Sequence, residues 1–291
     1  MQYLHLRASA LSETPTFLTS DKMIIDFHTH VFPDKIAERT VSLLHSKSGS
    51  TAHSDGTVSG LIKRMDEAGV DISVTLPVLT SPTQFDSVTR FTRELNERFS
   101  EGERRIISFA GIHPECEDID GKMRYIKDCG FLGVKIHPDY QATFISDERY
   151  VRIYECAREL DLIVITHAGV DAAFTDKPVR CPPELMLELI RRVRHRKSVF
   201  AHLGANRMSE ELIEKVAGED VYFDTAYSLK HTSPELIKKI IERHGADRIL
   251  FATDMPWSSM VGDLAIIRSL DLGKENEEKI LYRNAMALLG I

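Results

Sequence analysis

An α/β chain closed into a (β/α)8 TIM barrel, in a single domain, is the architecture this sequence predicts, on three observations. Eight short runs rich in Val, Ile, Phe and Leu have the length of strands. They alternate with amphipathic segments of helix length, an order that demands parallel strands covered by helices. No G-x-G-x-x-G follows the first run, which disfavours the competing doubly wound open sheet.

The runs, in order, are "MIIDFH" (23–28), "ISVTLPV" (72–78), "IISFAGI" (106–112), "LGVKIHP" (132–138), "LIVITHA" (162–168), "SVFAHLG" (198–204), "VYFDTA" (221–226) and "RILFATD" (248–254). Their apolar character is that of strands covered on both faces. Between them lie "VSGLIKRMDEAG", "FDSVTRFTRELNERF", "DIDGKMRYIKDCG", "YVRIYECARELD", "PELMLELIRRVRH", "SEELIEKVAG" and "PELIKKIIERHG". A further helix is expected near 261–270, and a closing one at "NEEKILYRNAMALLG". Ser81-Pro82, Ser209-Glu210 and Ser233-Pro234 read as helix starts, and Gly69, Gly130, Gly218 and Gly245 as helix stops. The polar stretch "SKSGSTAHSDGTVSG" (46–60) reads as a long loop of the kind that serves as a lid. Residues 1–22 are Thr/Ser-rich, lack the apolar core of a signal peptide, and are expected to form a mobile tail before a barrel over 23–291.

Composition narrows the function. The chain is 43% hydrophobic and 28% charged, enough apolar residues for a sizeable core. A net charge of −7 with no basic stripe disfavours nucleic acid, and no apolar run reaches bilayer-spanning length. Cys116, Cys129, Cys156 and Cys181 lack C-x-x-C spacing and read as reduced thiols of a cytoplasmic protein.

In a barrel the chemistry stands at the C-terminal ends of the strands. Those positions carry His28, His30, His113, Lys135, His137, His167, His202, Asp224 and Asp254, so six of the twelve histidines fall on one rim. A lone histidine is commonly a satisfied core or loop residue. Six on one rim point to a metal site. In "HTH" the side chains of His28 and His30 share one face of a strand, so their ring nitrogens can converge on one ion. His5, His45, His53, His195, His231 and His244 read as solvent-facing residues of tail, loops and helices. Phe32 and Trp257 could wall a pocket, and Arg180 could hold an anionic group.

The motifs "DFHTH" (26–30), "GVKIHP" (133–138), "THAG" (166–169), "AHLGA" (201–205), "FATDMPW" (251–257) and "RNAMALL" (283–289) resemble the amidohydrolase superfamily. The resemblance is to the amidohydrolase-related branch that includes aminocarboxymuconate-semialdehyde decarboxylase, and it spans the chain from Met23 onward. It implies that His28, His30, His167 and Asp254 bind a divalent metal, most often zinc, and that Asp254 handles the proton of the metal-bound water. It leaves His202 either as a polarising acid/base group or as a ligand to a second metal. Three imidazoles and one carboxylate suit Zn²⁺, Fe²⁺ or Mn²⁺ with one position left open. Some superfamily members carbamylate a lysine at the place of Lys135 to bridge two metals; a lysine paired with a neighbouring acid is the plain alternative. One metal is expected here, with Lys135 and His137 facing substrate and with His113 and Asp224 orienting either a ligand or the substrate. Dimers are common among such barrels, so a homodimer is an expectation of the resemblance.

The leading functional expectation is a hydrolase in which metal-activated water attacks an amide, lactone or ester of a small molecule. The alternative is a metal-dependent, non-oxidative decarboxylase of a small unsaturated or aromatic acid. A TatD-like nuclease is disfavoured by Lys135 at the fourth strand and by the negative charge. A barrel that binds metal without turnover is disfavoured by the complete set of ligand types.

Overall fold

The computed structural model describes residues 23–100 and 105–291; the expected tail 1–22 lies outside them. The strands are β1 Ile25–Thr29, β2 Ile72–Thr75, β3 Ile106–Ser108, β4 Ala110–Gly111, β5 Gly133–Ile136, β6 Ile163–Thr166, β7 Ser198–Phe200, β8 Tyr222–Asp224 and β9 Ile249–Leu250. β3 and β4 are one predicted strand, interrupted at Phe109 where its hydrogen-bonding partner changes from β2 to β5. The helices are α1 Asp34–Ser48, α2 Val58–Ala68, α3 Phe85–Arg98, α4 Ile119–Asp128, α5 Glu148–Glu159 and α6 Pro183–Val193. They continue with α7 Ser209–Lys215, α8 Pro234–His244, α9 Met260–Ser269, α10 Lys274–Glu278 and α11 Asn284–Leu289.

Every pairing between neighbouring strands is parallel, and each strand lies beside the next in sequence. The ring closes where the segment after β9 meets β1. The Phe27 amide donates to the Phe251 carbonyl (2.9 Å), that of Asp254 to His28 (2.8 Å), and that of His30 to Met255 (2.6 Å). The expected barrel is thus observed. Alternate residues face opposite ways, so Ile163 and Ile165 join Leu250 and Ala252 in an inner cluster. Val164 and Phe251 join the larger layer between strands and helices. His167 and Asp254 continue the inner parity beyond the ends of β6 and β9.

β1 departs from strict alternation. Ile25 and Phe27 belong to the inner cluster, yet His28 also points inward, because the β1–β2 register shifts between Asp26 and Thr29. An extra residue in one strand re-aims the side chains that follow it. Both histidines still share a face.

Strands end sooner than the apolar runs suggest. His202, Leu203 and Asp254 have φ of 65°, 52° and 67°, a left-handed region in which the chain leaves the sheet. His30, His137, His167, His202 and Asp254 therefore sit on loops just past the strands, whereas His28, Lys135 and Asp224 stay within β1, β5 and β8. Helix α1 was not legible as a helix, and it occupies the beginning of the expected 46–60 loop. The remainder of that loop is pinned: the His53 amide donates to the Pro256 carbonyl (2.7 Å) and Ser50 Oγ meets the Tyr227 hydroxyl (2.9 Å). Ser81 and Ser233 cap their helices, but Ser209 lies inside α7 and caps nothing.

Two histidines expected at the surface are buried: His195 donates to the Leu162 carbonyl (2.8 Å), and His244 bonds Val221 and stacks on Phe223. Each ring fills a gap while its nitrogen satisfies a strand carbonyl. His5 lies outside the described residues. Among the described residues no helix is long and apolar enough to cross a membrane.

Candidate metal centre

His28 and His30 come from β1 and its end, and Asp254 from the turn after β9. Their ligand atoms lie within 4.8 Å of one another. Asp254 Oδ1 is 2.9 Å from His30 Nε2 and 3.5 Å from His28 Nε2.

The partners on the far side of each ring settle where its proton sits. His28 Nδ1 lies 2.8 Å from Asp224 Oδ2, and His30 Nδ1 lies 2.7 Å from the Leu76 carbonyl. Carboxylate and carbonyl oxygens accept, so both Nδ1 atoms carry the hydrogen. The Nε2 atoms are then available as lone-pair donors: both face Asp254 Oδ1, and that of His28 also lies 3.1 Å from Lys135 Nζ. Two imidazole nitrogens and a carboxylate oxygen gathered in this way attract a cation, and the Lys135 ammonium already stands beside one of them. Metal-binding histidines are held in this way, the second ring nitrogen donating to a carboxylate or carbonyl. The donor set therefore fits a divalent metal. Burial, followed by the nearby Lys135 ammonium and the other rings, pushes the His28 pKa well below the ordinary imidazole value. The ring is neutral, as a ligand must be.

Asp224 is fully buried beneath His28. Its Oδ1 accepts the amides of His202 (2.8 Å) and Ala226 (3.1 Å). It orients the His28 ring, the ligand-holding alternative, and does not line the cavity as a substrate-facing group would. His113 is also set apart from the cavity, its Nδ1 accepting the Glu115 amide (3.1 Å). Arg180 pairs with Asp139 at 3.5 Å and is likewise not on the cavity wall.

His167 stands beside this trio without joining it. Its Nδ1 lies 2.8 Å from His202 Nε2, and His202 Nδ1 lies 2.9 Å from the Ala226 carbonyl. His202 must donate from Nδ1, so its Nε2 accepts a proton from His167. His167 Nε2 is then a third imidazole lone pair. It is buried without a hydrogen-bond partner, 3.8 Å from both Asp139 Oδ2 and Asp171 Oδ2. His137 stacks on His167 at 4.1 Å between centroids, with Nε2 3.4 Å from Asp171. Burial pushes Asp139 up to about 6, with Asp171 adding to the effect.

Lys135 is buried, with Nζ 3.1 Å from His28 Nε2. Burial pushes its pKa down to about 8, although Asp224, Asp254 and Asp171 oppose the shift. The amine is still mostly protonated at neutral pH, with a minor neutral fraction far above that of an ordinary lysine. Asp26 ties β1 to the turn that carries Asp254. Its Oδ1 accepts the amides of His28 (3.2 Å) and Thr253 (3.0 Å), Oδ2 meets Thr253 Oγ1 at 2.5 Å, and burial pushes it up to about 8.

His28, His30, Lys135, His137, His167, Asp171, His202 and Asp254 line the floor of one cavity of about 800 Å³. Phe32 and Trp257 wall it, as expected, with Tyr140, Phe174 and Tyr227. Sequence reasoning missed Asp171, Asp139 and Tyr140. A signal existed for Asp171, which follows His167 by four residues, and for Asp139, two residues past His137. Gly169, at φ +79°, packs against the next loop: a Cβ there would lie 2.2 Å from the Asn206 amide nitrogen. Only glycine lets these two rim segments touch.

Solved structures of similar shape include a 2,6-dihydroxybenzoate decarboxylase complexed with 2,6-dihydroxybenzoate (TM-score 0.66, 14% identity, covering 93% of this chain and 100% of the other). A dihydroxybenzoic acid decarboxylase from Polaromonas with bound manganese and 2-nitroresorcinol gives a TM-score of 0.65 at 17% identity, covering 92% and 97%. A 5-carboxyvanillate decarboxylase from Novosphingobium aromaticivorans, complexed with manganese and 4-hydroxy-3-methoxy-5-nitrobenzoic acid, gives 0.68 at 14%, covering 92% and 96%. At such identities they establish a shared fold. No curated protein matches the chain. The family described as amidohydrolase matches residues 25–291, nearly the whole barrel, and the chain belongs to that family.

Proposed function

We propose that this protein is a metal-dependent carboxy-lyase that removes the carboxyl group of a small unsaturated or aromatic acid without oxidation. The observation that carries the reading is the convergence of His28 Nε2, His30 Nε2 and Asp254 Oδ1 on one point at the floor of an apolar-walled cavity. The fold shared with dihydroxybenzoate and carboxyvanillate decarboxylases supports the choice of decarboxylation over hydrolysis. His28, His30 and Asp254 hold the ion, with His167 the fourth candidate. Manganese, present in two of those structures, joins zinc as the metal. When bound, a divalent ion supplies Lewis-acid polarisation of the substrate's oxygens.

The chain's own residues do the rest. Asp224 and the Leu76 carbonyl fix the two ring orientations, so the site is formed before substrate arrives. Phe32, Trp257 and Phe174 exclude water from the reacting carbon. Cleavage of the carbon–carbon bond leaves its electron pair on the substrate, and a proton must reach that carbon as carbon dioxide leaves. Asp254, whose Oδ1 faces the imidazoles, has Oδ2 to carry that proton. His202, joined to His167, is the second proton carrier on the floor.

One observation favours a second reading. Lys135 is buried 3.1 Å from His28 Nε2, and as its carbamate it would hold a second ion together with His202, once the His202 Nε2 is released from its hydrogen bond to His167. Such a centre would suit hydrolysis of an amide, lactone or ester. Metal-reconstituted enzyme offered a panel of aromatic and unsaturated acids separates the two. Carbon dioxide release, abolished by chelation and by His28→Ala, is the expected result. Acid release from lactones or amides instead would transfer the assignment to hydrolysis, and release from neither panel would overturn both.

A further inference from the structure

Helix α1 has fifteen residues and buries only Ala37. Ile36 and Leu43 are 50% and 51% exposed, an unusual position for two large aliphatic side chains on one helix. Their place on the helix explains it. Ile36, Thr40, Leu43, Leu44 and Lys47 recur at the spacing of one helical face, and all five line the cavity above the metal-ligand trio. The opposite wall belongs to α3, which carries two apolar faces. Phe85, Thr89, Thr92 and Leu95 are buried, whereas Val88 and Phe91, packed against the edge of the core, also line the cavity. Leu76, Pro77 and Val78, just after β2, carry this wall down to the His30 ring.

The result is a groove between α1 and α3 that begins at the imidazoles and ends at a polar rim of Lys47, Gln84 and Ser87. Its volume, about 800 Å³, is near the top of the range for small-molecule sites, roughly 300–1,000 Å³. A single carboxylated ring would fill the floor and leave both helix faces wet. We infer that the substrate is an elongated carboxylic acid, its carboxyl group at the His28–His30–Asp254 floor and an apolar body longer than one aromatic ring lying between α1 and α3. This rests on the cavity being the substrate site, as proposed above. It does not require that the reaction be decarboxylation.

The chain's single tryptophan, Trp257, lines the same cavity, so its fluorescence reports occupancy without turnover. Metal-loaded protein is titrated with benzoate and with biphenyl-4-carboxylate, which share the carboxyl group and differ in the length of the apolar body. The inference expects biphenyl-4-carboxylate to bind at least tenfold more tightly. Leu43→Asp, and independently Ile36→Asp, should collapse that ratio to within about twofold of one. Val261→Asp, at another exposed aliphatic residue (56%) on α9, should leave the ratio as in the wild type. Equal affinity for the two acids, or an unchanged ratio in both α1 variants, would overturn it. So would sedimentation showing a dimer that Leu43→Asp dissociates, since the α1 face would then be covered by a second copy. Binding that follows the expected pattern in protein that releases no carbon dioxide would leave this inference standing while the reaction assignment fell.

Discussion

Asp224→Asn tests the tautomer argument on which the metal centre depends. Asp224 Oδ1 accepts two backbone amides, from His202 and Ala226, so the asparagine must keep its carbonyl oxygen there. Its NH₂ group is then forced to face His28 Nδ1, 2.8 Å away in the wild type. Two donors at that distance repel, and the conflict is relieved if the His28 proton moves to Nε2. A protonated Nε2 has no lone pair for a metal. Loss of such an orienting partner weakens metal affinity by roughly 10–100-fold, or about 1.4–2.8 kcal/mol. Folding should respond far less. The exchange of a charge-assisted for a neutral hydrogen bond costs about 1 kcal/mol, offset by removing a carboxylate that burial already disfavours. At roughly 2–4 °C per kcal/mol for a chain of this size class, the metal-free Tm should move by only a few degrees. Affinity is read by competition with a chromophoric chelator, and the tautomer by long-range nitrogen–proton NMR of the His28 ring. A variant that binds metal within twofold of the wild type, or that keeps its proton on Nδ1, would refute the reasoning.

Two further outcomes follow from the buried groups around the trio. Asp26, pushed up to about 8, is largely protonated at neutral pH, so Asp26→Asn should preserve its bonds and change stability by under about 1 kcal/mol. Asp26→Ala strands the His28 and Thr253 amides and should cost roughly 2–4 kcal/mol in urea unfolding; equal costs for the two variants would contradict the assignment. Lys135 has a folded pKa lowered from 10.5 to about 8, so between those values the unfolded chain binds a proton that the folded chain has released. Metal-free wild type should therefore gain up to about 3 kcal/mol as pH rises from 8 to 10.5, relative to Lys135→Met, which lacks the group. Parallel stability–pH curves for the two proteins would show that Lys135 is not desolvated.

What was legible in the sequence came from local periodicity. The period of two in "HTH" places His28 and His30 together whether or not β1 is regular, so the register shift at Asp26–Thr29 did no harm to that inference. The eight apolar runs survive in the barrel because strands covered on both faces have little choice of composition. Their ends were less legible, since the left-handed turns there begin on His202 and Asp254, residue types that do not announce positive φ. Helix α1 escaped notice because its apolar residues face a cavity instead of the core. Its pattern of Ile36, Leu43 and Leu44 amid polar residues therefore reads as loop. Asp224 stood correctly at a strand end, but alternation alone could not tell a group facing the cavity from one holding a ligand from beneath. Asp171 and Asp139 come from loops whose course depends on tertiary contacts, so their short spacing from His167 and His137 was the sole signal for them.

Anomalous X-ray scattering from crystals grown in excess Mn²⁺ or Zn²⁺ tests the central assignment most directly. A peak about 2.0–2.2 Å from His28 Nε2, His30 Nε2 and an Asp254 carboxyl oxygen is the predicted result. Metal-replete crystals with no peak at this floor, or with a peak that touches neither β1 histidine, would contradict it.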